Sequence, residues 1–213
     1  DVYKRQQPLS IRFFMTKKER GFMRETLMDA APHPTFDEAG LLLTALALGT
    51  AKLYPAPDLA RFVLRVRPED GARAAAALGL SLPETLRASS HKDRHMLWQG
   101  PDEFLLLALT SEKQEIMDRL QAEMGGKPYS LVDVSHRNQA FLLTGEGTQE
   151  LLETGCMLDL DPASFPVGMT TRTLFAKADL TLWRRDTHTF HIELWRSFMP
   201  YVMGLLQQSA AAA

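Results

Sequence analysis

The chain has 213 residues, of which 45% are hydrophobic and 23% charged, with a net charge of −2. That length suits one sizeable domain or two small ones, and the near-neutral balance lacks the basic footprint of a nucleic-acid or membrane-surface binder. One cysteine, Cys156, excludes an internal disulfide and any cysteine-pair zinc site. It reads as a small buried hydrophobe in a reducing, cytoplasmic compartment.

Residues 1–24 carry Lys4, Arg5, Arg12, Lys17, Lys18, Arg20 and Arg24 against Asp1 and Glu19, a local charge of +5 that leaves −7 for the rest. The first methionine is Met15, and this stretch is expected to be a disordered or non-native basic leader. Residues 25–60 are broken by Pro32, Pro34, Pro55 and Pro57 and read as an N-terminal arm. Within the arm, Gly40 to Leu48 suits either a helix or a buried strand. Its apolar run, Leu41 to Leu48, has eight residues, whereas a membrane-spanning helix takes about 20.

From Arg61 the pattern sharpens. Phe62 to Val66 predicts a strand, and Pro68, Glu69 and Asp70 open a helix. That helix turns Ala74, Ala75 and Leu78 inward and stops at Gly79. Residues 84–93 read as a polar loop that holds His91; His95, just beyond, is read with it. Met96-Leu97-Trp98 starts a strand, Gly100-Pro101-Asp102 turns it, and Phe104 to Leu109 returns. A helix follows over Ser111 to Met124, with Ser111 and Gln114 as a capping box and Ile116, Leu120 and Met124 on one face. Leu131 to Val134 supplies the next strand. The order is β-α-β-β-α-β, a split βαβ or ferredoxin-like unit.

The same order recurs. Ala140 to Leu143 predicts a strand, Leu151 and Leu152 a short helix that stops at Gly155, and Leu182-Trp183 with Phe190 to Ile192 a hairpin. A last helix, capped by Ser197, carries Val202, Leu205 and Leu206. The offset between copies grows from about 78 to about 86, which places extra residues within Phe165–Ala178. The fold class is therefore α+β: two pseudo-symmetric ferredoxin-like units, over 61–134 and 135–208, with a tail at 209–213.

The motifs that carry chemistry elsewhere are weak here. Asp133, Ser135 and His136 hold the residue types of a hydrolase triad, but adjacent strand residues face opposite sides and no nucleophile elbow surrounds Ser135. The Asp133 and Ser135 side chains are expected to order the strand exit instead. Gly145-Glu146-Gly147 lacks the third glycine and downstream acid of a dinucleotide loop and reads as a cap and turn. His33, His91, His95, His136, His188 and His191 are scattered without metal-ligand spacing; His188 and His191, three apart, fall on opposite faces of one strand. Trp183, Trp195, Phe198, Tyr201 and Met203, interleaved with Arg184, Arg185 and Arg196, suit either core or a protein interface.

Several runs are familiar: Leu131-Val132-Asp133-Val134-Ser135-His136-Arg137, Gly155-Cys156, Leu158-Asp159-Leu160, Phe165-Pro166-Val167-Gly168-Met169 and Thr171-Arg172-Thr173. With Lys177-Ala178, Leu182-Trp183, Trp195-Arg196-Ser197-Phe198 and Pro200-Tyr201, the chain over roughly residues 60–208 resembles the gamma subunit of heterotetrameric sarcosine oxidase. That resemblance implies a folate-binding aminomethyltransferase-like fold. It implies alpha, beta and delta subunits as partners, with no nucleic acid and no membrane. The complex it points to oxidises sarcosine to glycine and hydrogen peroxide and passes the one-carbon unit to tetrahydrofolate. FAD, FMN, NAD and zinc belong to that complex, and the resemblance places flavin chemistry on the beta subunit and the folate site on the alpha subunit. No catalytic, cofactor-binding or metal residue is carried over to this chain. His136, Arg137, Arg172, Trp195 and Arg196 are the candidates to face partners. The alternative is a free-standing folate-binding protein or aminomethyltransferase-like enzyme.

Overall fold

Leu42 and residues 45–212 are described in the computed structural model, so the expected leader and most of the arm lie outside the described residues. Two hairpin strands come first, β1 (Leu46–Leu48) and β2 (Ala51–Pro55). The first unit follows as β3 (Leu59–Val66), α1 (Pro68–Ala77), β4 (Ala88–His91), β5 (Arg94–Gly100), β6 (Glu103–Leu109), α2 (Lys113–Met124) and β7 (Tyr129–Asp133). The second comprises β8 (Asn138–Thr144), α3 (Thr148–Glu153), β9 (Thr170–Phe175), β10 (Ala178–Asp186), β11 (Thr189–Trp195) and α4 (Met199–Ala212).

The two antiparallel sheets have matching order. One runs β4-β5-β6-β3-β7 and the other β9-β10-β11-β8-β2, with β1 beyond β2. Each is a ferredoxin-like sheet with one strand added beside the hairpin. The repeat holds in detail. The β5–β6 hairpin shifts register between Trp98 and Gly100, and the β10–β11 hairpin between Arg184 and Asp186. Both positions differ by 86, as do the starts of the 3-10 turns at Thr110 and Arg196 and of the helices at Lys113 and Met199. Strand β3 aligns with β8 at an offset of 79, because Leu59 faces Leu109 as Asn138 faces Trp195. The seven extra residues therefore lie between α3 and the second hairpin, partly upstream of the expected Phe165–Ala178.

One departure from the repeat matters most. Among the described residues no strand follows α4; β2, from the arm, fills the place of a fourth strand and pairs antiparallel with β8, Leu53 opposite Leu143. The arm is thus part of the second sheet rather than a lead-in. Its alternation is Ala51 and Leu53 buried, Lys52 and Tyr54 exposed, the period of a half-buried strand.

Helices α1 and α2 cover the outer face of the five-stranded sheet through Ala74, Ala75, Leu78, Ile116, Leu120 and Met124. Helices α3 and α4 cover the six-stranded sheet through Leu151, Leu152, Val202, Met203 and Leu206. The inner faces meet across Leu97, Leu105, Leu107, Val134 and Trp183. Central strands are therefore buried on both sides, and β6 and β11 read as unbroken runs of buried residues.

Local details differ from expectation in four places. A 3-10 turn over Thr110–Glu112 precedes α2 in place of a Ser111–Gln114 capping box, and Glu112 Oε2 closes that turn by accepting the Leu109 N–H at 3.2 Å. A 3-10 turn over Arg196–Phe198 precedes α4 in place of a Ser197 cap. His91 and His95 sit on paired strands, β4 and β5, rather than in a loop. His188 occupies the β10–β11 turn, its N–H donating to Asp186 Oδ1 at 3.0 Å, while His191 is buried on β11.

Candidate functional site

The space between the sheets holds the chain's main polar network. Arg61 on β3 and Glu193 on β11, 132 residues apart, form an ion pair, Nε–H donating to Oε2 at 2.8 Å. Arg61 Nη1 also donates to the Leu59 carbonyl at 2.9 Å, and His191 Nε2 lies 2.9 Å from Glu193 Oε1. Burial alone would push the Glu193 carboxyl up, yet the His191 hydrogen bond and the Arg61 charge outweigh it and hold it below the ordinary range. The Trp183 ring is sandwiched between His191 at 5.7 Å and His95 at 5.1 Å, with the Arg185 guanidinium 5.0 Å from its centre. This has the residue types of acid-base chemistry, but Glu193 is 1% exposed and His191 2%. Their side chains are committed to one another. The network joins the two sheets.

His95, at the margin of that layer, is held neutral: burial first, then the charge of Arg185, lower its pKa to about 4. An unfolded histidine titrates near 6.5, so the unfolded chain binds the extra proton between those values. Stability from this group is complete above about pH 6.5 and is lost as pH falls toward 4. His95→Asn is expected to flatten the urea-denaturation midpoint across pH 4–6.5, as read by circular dichroism.

The sheets part at their margins into two open clefts. The first, about 350 Å³, is lined by Val63, Arg65, Glu103, Val132 and Leu194, together with Arg137, Arg172 and Trp195. The second, about 470 Å³, includes Asp58, Lys113, His136, Gln139 and Arg196. The five candidate partner-facing residues thus divide between neighbouring clefts. Arg137, Arg172 and Trp195 share one; His136 and Arg196 share the other. The main chain links them, since the Arg196 N–H donates to the Arg137 carbonyl at 2.9 Å. The Arg137 guanidinium lies 5.5 Å from the centre of the Trp195 ring, a cation–π arrangement.

Asp133 and Ser135 order the strand exit, as their spacing implies. Asp133 Oδ1 accepts the Ser135 N–H at 2.8 Å and its hydroxyl at 2.5 Å, and Ser135 Oγ accepts the Arg61 N–H at 2.9 Å. Partial burial raises the Asp133 carboxyl, but those hydrogen bonds and Lys113 outweigh it and bring it to about 2. A serine hydroxyl committed to a carboxylate, two residues away on a strand exit, is not a nucleophile facing a histidine.

The residues present do not fit the groups that the resemblance implies for the complex. Among the described residues no cluster of three or more His, Cys, Asp or Glu is placed to hold a metal. The Gly145-Glu146-Gly147 turn is packed rather than open: a Cβ on Gly145 or Gly147 would overlap Thr50 of the β1–β2 turn, and Gly145 has φ +115°. The inter-sheet carboxylate of Glu193 is paired with Arg61 and His191. Gly145→Ala is accordingly expected to cost about 2–4 kcal/mol in urea unfolding, from left-handed backbone strain plus overpacking.

This architecture, two fused split-βαβ units with helices outside and sheets back to back, defines the class: a body with a folate-binding-domain-like fold. A chain of glycine cleavage system aminomethyltransferase T from Bartonella henselae shares the fold at TM-score 0.53 and 14% identity, over 74% of this chain and 45% of that one. A chain of heterotetrameric sarcosine oxidase from Corynebacterium sp. U-96 superposes with TM-score 0.70 at 27% identity, covering 82% of this chain and 89% of that one. The sarcosine oxidase subunit gamma of Corynebacterium sp. strain P-1 is 30% identical over 159 residues, 73% of this chain and 77% of the relative. The model of the sarcosine oxidase, gamma subunit family matches residues 66–212. The chain belongs to the sarcosine oxidase gamma subunit family.

Proposed function

We propose that this chain serves as the non-catalytic gamma subunit of a heterotetrameric sarcosine oxidase, docking on alpha, beta and delta subunits. The assembled enzyme carries out oxidative demethylation of sarcosine to glycine with hydrogen peroxide and transfers the one-carbon unit to tetrahydrofolate. FAD, FMN, NAD, zinc and tetrahydrofolate are held by the partners, in the cytoplasm. No helix among the described residues is long and apolar enough to cross a membrane.

The observation that carries this reading is the state of the inter-sheet layer. Its polar groups Arg61, His191 and Glu193 are almost fully buried and paired with one another. The material of an interface lies at two adjacent clefts: His136, Arg137, Arg172 and Trp195 are exposed there and Arg196 is half-buried.

Two assays on the isolated chain test it. A peroxide-coupled assay with sarcosine and oxygen is expected to give no turnover, and calorimetric titration with tetrahydrofolate no saturable heat. Tight tetrahydrofolate binding would favour a free-standing folate protein instead.

A further inference from the structure

The outer edge of β7 has no assigned role in the docking reading. Val134 N–H donates to the Arg61 carbonyl at 2.8 Å, and β7 continues antiparallel to β3 with Val132 opposite Val63 and Ser130 opposite Arg65. Antiparallel pairs alternate between bonded and non-bonded positions, so Val132 and Ser130 turn their backbone groups toward β3. Tyr129, Leu131 and Asp133 turn theirs outward. No strand among the described residues pairs with that side.

The side chains along this edge are equally unfinished. Val132 is 51% exposed and Trp195 46%, and both line the first cleft with Ser130. Arg65 and Arg172 share the single carboxylate of Glu103. Arg137 donates its Nε–H to Asn138 Oδ1 at 3.0 Å and stacks on Trp195, and no carboxylate among the described residues pairs with it. Asp179 also lines the cleft, whereas Glu193 is matched from behind by Arg61. Three guanidinium groups therefore face two carboxylates, in a cleft that opens beside a bare strand edge.

We propose that the β7 edge and the arginine–tryptophan cleft form one docking site for an extended, acidic segment of a partner subunit, which adds a sixth strand to the five-stranded sheet. The proposal rests on the docking-subunit reading and names the chemistry of the partner. In strand addition the main chain supplies affinity and alternate side chains supply specificity. The outward groups of Tyr129, Leu131 and Asp133 provide the ladder. On the cleft side an apolar residue of the added strand packs on Val132, and a carboxylate meets Arg137. The Trp195 ring holds that guanidinium in place before the partner arrives, which lowers the cost of ordering it. An uncovered edge with an exposed valine is otherwise an aggregation hazard, so a partner strand resolves both needs.

The test uses the chain co-expressed with alpha, beta and delta subunits. Amide hydrogen exchange is expected to show residues 129–133 slowed at least about tenfold in the complex relative to the free chain. Arg137→Glu is expected to weaken retention in the complex about tenfold or more, and Trp195→Ala to weaken it in the same direction. Arg73→Glu, on the opposite outer face of α1, leaves retention unchanged. If the wild-type complex forms while residues 129–133 exchange as freely as before, strand addition is wrong, whatever Arg137→Glu does. Unchanged retention of Arg137→Glu would overturn the acidic partner. If the wild-type chain ignores those subunits altogether, the docking-subunit reading itself fails and takes this site with it.

Discussion

Replacing Glu193 with alanine is expected to lower stability by about 3–5 kcal/mol, the usual cost of stranding a buried charge. The variant leaves the Arg61 guanidinium and the His191 ring facing each other between two sheets with no anion. The double variant Arg61→Met with Glu193→Leu is expected to recover most of that loss, because well-packed apolar residues replace a buried pair at little cost. Arg73→Ala, which removes an exposed partner of Glu123, is expected to cost no more than about 1 kcal/mol. Chemical denaturation with matched urea slopes measures all three. The pH dependence has a fixed sign. Glu193 titrates lower in the folded chain than in the unfolded one, so its stabilisation is present above the ordinary glutamate range and is lost as pH falls through the folded value. The double variant should lack that acid-side loss. A Glu193→Ala effect within 1 kcal/mol of Arg73→Ala would show that the two sheets are not joined through this pair.

The second large effect concerns β2. Leu53 is fully buried between β1, β8 and the helices of the second unit. Leu53→Ala is expected to cost about 2–5 kcal/mol, and Leu53→Asp to unfold the chain by burying an unpaired charge. Deleting everything before Leu59 goes further. It removes the strand that covers β8, and exposes both the ladder edge and the core side chains Phe141 and Leu143. That product is expected to aggregate on expression. A monomeric product spanning residues 59–212 with unchanged urea midpoint would mean that β2 is an ornament on the second sheet rather than its fourth strand.

The repeat was legible because its longest elements obey simple periods. Ile116, Leu120 and Met124 mark one helical face, and Phe62 to Val66 pairs in kind with Ala140 to Leu143. Gly79, Gly125 and Gly155 lie within one or two residues of the helix ends. What sequence alone missed has physical causes. Strand β4 is Ala88-Ser89-Ser90-His91, an edge strand with no apolar signature, specified by its backbone pairing to β5. Strand β2 is five residues long and ends at Pro55, and its partner β8 lies nearly ninety positions later, so no local pattern announces it. The Arg61–Glu193 pair escaped for a different reason. Both faces of β3 and β11 are buried, and a strand covered on both sides gives no alternation from which to see that a charged residue points inward. A charged residue inside a mostly apolar strand run of each repeat, Arg61 in β3 and Glu193 in β11, is the signal that could have located it.

In the sequence the candidate surface rests on residue types, aromatic residues and Met interleaved with Arg, and on the family-like runs that hold His136, Arg137, Arg172, Trp195 and Arg196. The cleft geometry adds what composition lacks: the Arg137–Trp195 stack, the shared Glu103, and the separation of His136 and Arg196 into the second opening.

The most direct measurement is the mass, by light scattering after size exclusion, of this chain co-expressed with alpha, beta and delta sarcosine oxidase subunits. A single heterotetrameric species with one copy of this chain, active on sarcosine, is the expected result. A chain that elutes alone as a stable monomer beside a complete and active complex of the others would contradict it.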